Sequence, residues 1–209
     1  MKPIYFILIT LFFSAAGTKV LGQGCVAVRN MSSSCSMAFD STGQSSPWQL
    51  SLNYRYFRSY KHFGGTEEHT YRVEQGTEGI NNDNSVLLGV SYQLSKRWSV
   101  SATIPYMSID RSSLYEHYGN TPGNPRFHTQ SKGLGDIRLS GYYAAIEKNK
   151  ISLTLGLGAK LPTGNYRVKD DFHRLDAEGR DYLEYRIVDQ SIQLGDGGFG
   201  VSTEFSASY

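Results

Sequence analysis

The feature that most constrains the fold of this chain is a strict alternation of apolar and polar residues. Between residues 151 and 161 every second position is aliphatic, and the positions between them carry small or polar side chains. A period of two predicts a β-strand with one apolar and one polar face. A tilted strand needs about 9 to 11 residues to cross a bilayer, whereas most strands of soluble sheets have about 5 or 6. We therefore predict that this strand spans a membrane.

The segment 133–162 is predicted to be a hairpin, because a second, weaker alternation precedes a polar turn at residues 147–150. The length of this turn allows either Asp136 or Arg138 to face Lys160 across the two strands. Opposite charges attract at facing positions, and like charges repel. We therefore predict that Asp136 lies opposite Lys160, on the lumen side of the hairpin.

The same alternation occurs in four further segments, and it predicts six spanning strands in all, at residues 48–57, 86–95, 98–106, 137–145, 151–161 and 199–209. The connections between them run long, short, long, short, long, and the long ones are residues 59–84, 109–132 and 163–198. Outer-membrane meander barrels have short periplasmic turns and longer outer loops. The predicted fold class is therefore all-β, an antiparallel meander transmembrane β-barrel over residues 48–209.

Six strands do not close a barrel, because closure needs at least about eight. We expect the chain to be an N-terminal piece of a longer barrel. The alternative is that residues 163–198 contain two further strands. In that segment Leu183, Tyr185 and Ile187 alternate briefly with polar residues, and we predict a strand extension that stands above the membrane.

The first 22 residues predict export from the cytoplasm. Lys2 supplies a positive charge, residues 4–16 form an apolar run, and small or medium residues precede a cleavage site after Gly22. The alternative, a transmembrane helix, would need about 20 apolar residues. No later run has that length, so a mature membrane protein must cross as a closed barrel, in the outer membrane of a Gram-negative bacterium. Residues 23–47, which show no sustained period, are predicted to be a periplasmic N-terminal arm.

Cys25 and Cys35 are the only cysteines of the sequence. In an exported chain they predict a disulfide that closes a short loop. Met31 and Met37 lie nearby, so a soft-metal site of the Cu(I) type is one alternative. A lipid anchor on Cys25 is another, although Leu21 lies one position too far from it for the usual lipoprotein motif.

Charge and motifs argue against several functional classes. The formal net charge of +2 is small and evenly distributed, which argues against a nucleic-acid partner. Gly133 and Gly135 precede a strand and not a helix, so they do not predict a nucleotide site. No serine lies in a Gly-x-Ser-x-Gly motif, and no histidine lies on a predicted strand. We therefore predict neither an enzyme nor a bound cofactor.

The histidines all fall in the long connections, at His62, His69, His117, His128 and His173. Polar residues collect where water is, and we predict no metal site among them. The alternative is a divalent-metal site at the cell surface, formed by His62, Glu67, Glu68 and His69, whose spacing matches no recognised ligand pattern.

The inward positions of the predicted strands are polar and of mixed charge. Where water fills a barrel, charged side chains at such positions tune its selectivity for solutes. The predicted lumen-lining charges are Arg55, Asp136, Arg138, Lys160 and Glu204.

Three glycine-containing motifs accompany the last strands: GLGD at 133–136, KLPTG at 160–164 and QLGDGG at 193–198. In order and spacing they resemble those of the outer-membrane proteins grouped under the meta-cleavage pathway of phenol degradation, a porin-like transporter family. The resemblance covers roughly residues 48–209. It implies a β-barrel in the outer membrane that passes small aromatic or apolar compounds, and it implies relatives with further strands.

The sequence thus predicts a barrel whose outer surface contacts outer-membrane lipid and which passes a small-molecule solute by passive transport. The alternative is a non-conducting structural or surface-interaction barrel that acts through its long loops. Strand number separates the two, because about eight strands are filled by their own side chains and larger barrels leave a channel. The pattern indicates no particular oligomeric state.

Overall fold

The computed structural model describes residues 46–115, 121–148 and 151–209. The predicted signal peptide, all but the last two residues of the predicted arm, both Cys25 and Cys35, and His117 lie outside the described residues. Strands dominate the described part, and every strand pairing in it is antiparallel. The prediction of an all-β, antiparallel fold is confirmed at that level.

The strands follow one another as β1 (Trp48–Ser59), β2 (Phe63–Gly64), β3 (Glu67–Glu68), β4 (Ile80–Gln93), β5 (Trp98–Ser113), β6 (Phe127–Leu134), β7 (Arg138–Lys148), β8 (Ile151–Lys160), β9 (Lys169–Leu175), β10 (Asp181–Ile187) and β11 (Gly200–Ser208). A single helical turn, α1 (Tyr71–Glu74), follows β3, and a 3-10 turn (Gln190–Ile192) follows β10. Neither helical segment of the described ranges has the length and hydrophobicity of a membrane span.

Seven strands form the main sheet, in the order β1-β4-β5-β7-β8-β11, with β6 paired to the end of β5. The six strands of this path are the six that the alternation predicts. β9 pairs with β10, and β2 with β3, as separate hairpins. In the described residues the path is open, because β1 and β11 are its two ends and do not pair with each other.

The two faces of the main sheet differ in polarity, as the alternation predicts. One face, here called the apolar face, carries large hydrophobic side chains that are exposed, such as Leu52 at 73% and Phe205 at 83%. The opposite face, here called the polar face, carries buried Ser99, Ser85 and Asp83. This arrangement is the reverse of a soluble sheet, which buries its apolar side chains and exposes its polar ones.

Aromatic side chains mark one end of the apolar face. Trp48 and Tyr92 are cross-strand partners with ring centroids 4.6 Å apart. Trp98 and Tyr143 form a second such pair at 4.8 Å. Both pairs lie near the short turn that joins β4 to β5. Tilted aromatic pairs of this kind stabilise neighbouring strands.

β4 and β5 extend further than the sequence predicts. The predicted connections 59–84 and 109–132 contain the start of β4, the end of β5 and most of β6. The alternation in the sequence does not reveal this extension, because its residues are largely polar. Asn81 and Asp83, for example, occupy ladder positions opposite Arg111 and Ile109 on the polar face. An alternation in which both faces are largely polar gives no amphipathic signal.

The predicted register of the β7–β8 hairpin is wrong. Arg138, and not Asp136, lies opposite Lys160. A β-bulge between Ala144 and Ile146 shifts the ladder by one residue, and a bulge adds a residue to one strand only. Arg138 and Lys160 can face each other because carboxylates of residues outside the hairpin ladder lie close to Lys160.

The apolar core lies against the polar face, at the end of the sheet away from the short turns. It consists of Met107, Ile109, Phe172, Val188, Ile192 and Leu194. Only the first two belong to the main sheet. Ile192, which has no exposed surface, and its neighbours belong to the predicted connection 163–198. That connection therefore contains the β9–β10 hairpin and most of the core, where the sequence predicts a loop with one short strand extension.

Candidate functional site

The three glycine-containing motifs, far apart in the sequence, meet at one place in the fold. We call this place the junction and define it by Asp136, Lys160, Thr163, Gly164 and Asp196. It lies between the end of β6 and the start of β7, on the polar face. The first motif supplies Asp136, the second supplies Lys160, Thr163 and Gly164, and the third supplies Asp196.

The Asp136 carboxylate is the centre of the junction. Its Oδ1 accepts a hydrogen bond from the Gly164 backbone N–H at 2.9 Å, and its Oδ2 accepts one from the Asp196 N–H at 3.4 Å. Lys160 Nζ lies 3.6 Å from Oδ2, and the Asp136 side chain is only 11% exposed. Bonds to an ionised acceptor are roughly twice as strong as those between neutral groups. One carboxylate therefore holds two separate chain segments.

Thr163 adds a second link of the same kind. Its hydroxyl donates to the Gly135 carbonyl at 2.9 Å and accepts from the Ile137 N–H at 2.9 Å. The backbone on both sides of Asp136 is thus fixed to the residues that follow β8. This explains why Asp in two of the motifs and Thr in the other lie beside glycine, since their short side chains bond readily to nearby backbone groups.

Lys160 also forms an ion pair with Asp196, through Nζ and Oδ2. The hydrogen bond from Lys160 is the main reason that the pKa of Asp196 is held below its ordinary value, and the bond from the Gly198 N–H at 2.8 Å adds to it. Lys160 therefore lies between two carboxylates. Their negative charge offsets the repulsion between Lys160 and Arg138 across the strands.

Two glycines allow the segments of the junction to approach each other. A Cβ on Gly164 would lie 2.6 Å from the Leu194 carbonyl oxygen, and a Cβ on Gly195 would lie 2.6 Å from Asp136 Oδ1 and 2.7 Å from the Gly164 oxygen. Such distances are below van der Waals contact, so backbone would have to move. The glycines of these motifs serve close approach of backbone to backbone.

Next to the junction, the polar face has a depression of about 280 Å³. Three of the predicted lumen-lining residues, Arg138, Lys160 and Glu204, line it together with Ser140 and Ser202. Glu204 accepts a hydrogen bond from the Tyr142 hydroxyl at 3.1 Å. The depression thus offers two cations, a carboxylate and hydroxyl groups to a solute, and a mixed set of this kind favours small polar or charged molecules over apolar ones.

The structure brings four of the five predicted lumen-lining charges together and places the fifth elsewhere. Asp136 joins the group through Lys160. Arg55 lies on β1, three strands from β7 in the sheet, where it faces Ser85 and its guanidinium lies 4.9 Å from the Phe57 ring centroid. All five lie on the polar face or at its edge.

A second set of polar contacts holds the connection after β10 to the other side of the polar face. Asn81 Nδ2 donates to Ser191 Oγ at 3.0 Å, and Arg111 donates to Asn81 Oδ1 at 2.9 Å. Arg111 also lies 3.8 Å from Asp189. The Ser131 hydroxyl donates to the Ile192 carbonyl. The sequence gives no signal for these contacts, because they join residues up to 110 positions apart.

The loop histidines do not assemble a metal site in the part of the chain that the structure describes, where no group of three His, Cys, Asp or Glu is placed to hold an ion. His62 and His69 stack with ring centroids 5.1 Å apart. Partial burial, then the nearby Arg72, lower the pKa of His62. Glu68 pairs with Lys61 at 3.0 Å. His128 and His173 each contact an aspartate instead, Asp110 and Asp181 respectively.

The sequence matches no protein-family model, and no curated protein is detectably similar to it. The likeness of the three motifs to the meta-cleavage family therefore stays an expectation. The junction itself is established by its contacts.

Proposed function

We propose that the chain forms the wall of a β-barrel in the outer membrane of a Gram-negative bacterium, and that the barrel passes small solutes by passive transport. The observation that carries this proposal is the inverted polarity of the main sheet. Leu50, Leu52 and Val201 are each about 70% exposed on the apolar face. Monomeric soluble proteins rarely expose so large a continuous apolar surface. Hydrocarbon is the solvent that such a surface fits.

The dimensions of the apolar face support the same proposal. From Trp48 to Tyr56 on β1, and from Trp98 to Tyr106 on β5, the chain advances eight residues, or about 26 Å along a strand. The apolar band of an outer-membrane barrel is about 25 Å tall and is bordered by aromatic residues on both sides. Strand tilt shortens the vertical span, and the aromatic rings extend it at either end.

The far border of this band is also where the apolar face becomes polar. The hydroxyls of Tyr54 and Tyr56 donate to Asn84 and Asn82 at 2.7 and 3.1 Å. Tyrosine favours the water–lipid boundary because its ring is apolar and its hydroxyl needs a partner. We therefore place the long connections beyond this border, on the outer side, and the short β4–β5 turn on the periplasmic side.

In this proposal the polar face lines the lumen, and the depression beside Arg138, Lys160 and Glu204 is part of the solute path. A closed barrel needs at least about eight strands, so β1 and β11 must pair with further strands, whichever chain supplies them. The mixed charges at the path favour small polar or charged solutes over the aromatic or apolar compounds that the family resemblance implies.

One observation favours the second candidate, a non-conducting barrel that acts through its surface loops. The core around Ile192 fills part of the polar face at the long-loop end. Barrels of small strand number are filled by their own side chains. Single-channel recording of the purified full-length protein in a planar bilayer separates the two. Stepwise conductance supports transport, and its absence at all voltages, with the protein folded, would establish the second candidate.

A further inference from the structure

We infer that residues 188–196, here called the strap, form a constriction at the long-loop mouth of the lumen, and that the junction sets its position. This inference rests on the proposed function. It assigns size selection to a segment that follows the β9–β10 hairpin and runs over the polar face of the main sheet before β11.

The apolar side chains of the strap are buried. Val188, Ile192 and Leu194 are among the most buried residues of the described chain, although the strap has only one 3-10 turn of regular structure. Connections usually run over a protein surface and expose their side chains. Here the apolar side chains pack with Met107 and Ile109 on the polar face of β5. The strap therefore lies against the wall of the proposed lumen.

Along the strand direction, the strap lies beside the far border of the apolar band. Met107 follows Tyr106, which marks the far border of the apolar band, and Ile109 lies one further pleat toward the long connections. A Cβ on Gly133, the cross-strand partner of Met107, would lie only 3.0 Å from the Leu194 side chain. The strap thus crosses just beyond the membrane border, at the mouth, and leaves the charged depression below it open.

Polar contacts hold the strap at both of its ends. One end is held by β4 and β5, through the contacts of Asn81 with Ser191 and of Arg111 with Asp189. The other end is held by the junction, where Asp136 accepts from the Asp196 N–H. A segment fixed at both ends against the wall of a lumen occupies part of its cross-section and so narrows it. Its backbone cannot move aside without breaking bonds to ionised groups, which are among the strongest in a protein.

A position assay tests the inference independently of transport. The full-length protein without its native thiols (Cys25→Ser, Cys35→Ser) is reconstituted into vesicles and treated with a membrane-impermeant maleimide. The reporter is Ile192→Cys, or Leu194→Cys where the first variant fails to fold, and the control reporter is Tyr185→Cys, whose native side chain is 67% exposed. We expect the strap reporter to label at least about a hundredfold more slowly than the control. Equal rates would overturn the position of the strap.

The role of the junction is tested by adding Asp136→Ala to the strap reporter. We expect labelling about tenfold faster, because the strap loses a charge-assisted anchor. The matched change Asp181→Ala removes a carboxylate in the same connection that contacts His173 and no strap residue, and it should leave the rate unchanged. Equal acceleration by both changes would overturn the role of the junction.

Conductance then separates this inference from the proposed function. We expect single-channel conductance of Asp136→Ala to rise about twofold over both the unmodified protein and Asp181→Ala, since a mobile strap widens the mouth. Unchanged conductance with faster labelling would overturn the constriction while leaving transport in place. Absence of conductance in every variant would overturn transport, and the constriction with it, even where labelling confirms where the strap lies.

Discussion

Arg138 and Lys160 lie directly opposite each other as cross-strand partners of β7 and β8. Facing like charges destabilise a strand pair, yet here they are neighbours on the polar face. The repulsion is offset because Asp136 lies 3.6 Å from Lys160 and Asp196 forms an ion pair with it. The hairpin therefore depends for its electrostatic balance on the last motif of the chain, which follows it by more than thirty residues.

This dependence gives a pH prediction. The pKa of Asp196 is lowered in the folded protein, first by the Lys160 hydrogen bond. A carboxylate whose pKa is lower in the folded than in the unfolded protein stabilises the fold at pH values above its unfolded pKa. This stabilisation is lost as the pH falls through the lower pKa of the folded protein. We expect hydrogen-exchange protection of residues 193–198 to be constant from neutral pH down to about 5 and to fall below about 4.

The matched variants for the pH prediction are Lys160→Met and Lys132→Met. The first should reduce protection of residues 193–198 already at neutral pH and should remove most of the further loss in acid. The second changes an exposed lysine of β6 and should behave as the unmodified protein. A pH profile that Lys160→Met leaves unaltered would show that Lys160 does not hold the junction.

The close approach of backbones in the junction predicts a cost for Gly164→Ala. The added Cβ would meet the Leu194 carbonyl oxygen at 2.6 Å, and backbone at both sides would have to shift. Overpacking of this kind costs about 1 to 3 kcal/mol of unfolding free energy. Gly141→Ala, a strand glycine with open space around its Cβ position, should cost nothing measurable. Urea unfolding in lipid vesicles measures both, and equal stabilities would contradict the tight junction.

The alternation in the sequence was sufficient to predict the six strands of the sheet path and the face on which each side chain lies. Period two is a local property, so a single strand such as β8 carries it in full. The hairpin register was beyond reach for two physical reasons. A bulge near Ala144 leaves no trace in the alternation, and one of the two carboxylates at Lys160, that of Asp196, comes from a distant segment, which pairwise charge matching within a hairpin omits.

The core was missed for a different reason. Val188, Ile192 and Leu194 are apolar, but they follow neither a period of two nor a helical period, because the strap is irregular and takes its shape from the surface beneath it. Among the functional candidates, the sequence predicts Asp136 and Lys160 only as charges that line a lumen. Their role as the anchor of two connections depends on hydrogen bonds with backbone N–H groups. Every residue except proline has such a group, so the sequence does not indicate which of them these side chains contact.

The polarity of the two faces predicts opposite effects for neighbouring substitutions on β1. Leu52 lies midway between Trp48 and Tyr56 on the apolar face, and Asn53 lies on the polar face. In the proposed barrel, Leu52→Arg would place a charge near the middle of the bilayer, which costs about 2 to 4 kcal/mol. Asn53→Arg would place it in the lumen at little cost. We expect folding into vesicles, followed by urea titration, to show this difference, and equal effects would contradict a lipid-facing apolar face.

The last prediction concerns the connection between β1 and β4, which Arg126 holds to β5. Its guanidinium donates to the Gly76 and Glu78 carbonyls at 3.0 and 2.7 Å and to the Ser112 carbonyl at 3.0 Å. Arg126→Ala removes all of these bonds at once. We expect trypsin cleavage after Arg72 to become about thirtyfold faster, since opening of the connection no longer has to break the two bonds to Gly76 and Glu78, each worth about 1 kcal/mol.

Trypsin added to intact cells then reports on topology as well as on attachment. The control is Arg97→Ala, which removes a bond to the Tyr143 hydroxyl at the short-turn end of the sheet and should leave cleavage after Arg72 unchanged. Faster cleavage of Arg126→Ala on intact cells requires both that Arg126 holds this connection and that the connection is outside. Cleavage that needs permeabilised cells would place the long connections in the periplasm, and the proposed orientation of the barrel would have to be reversed.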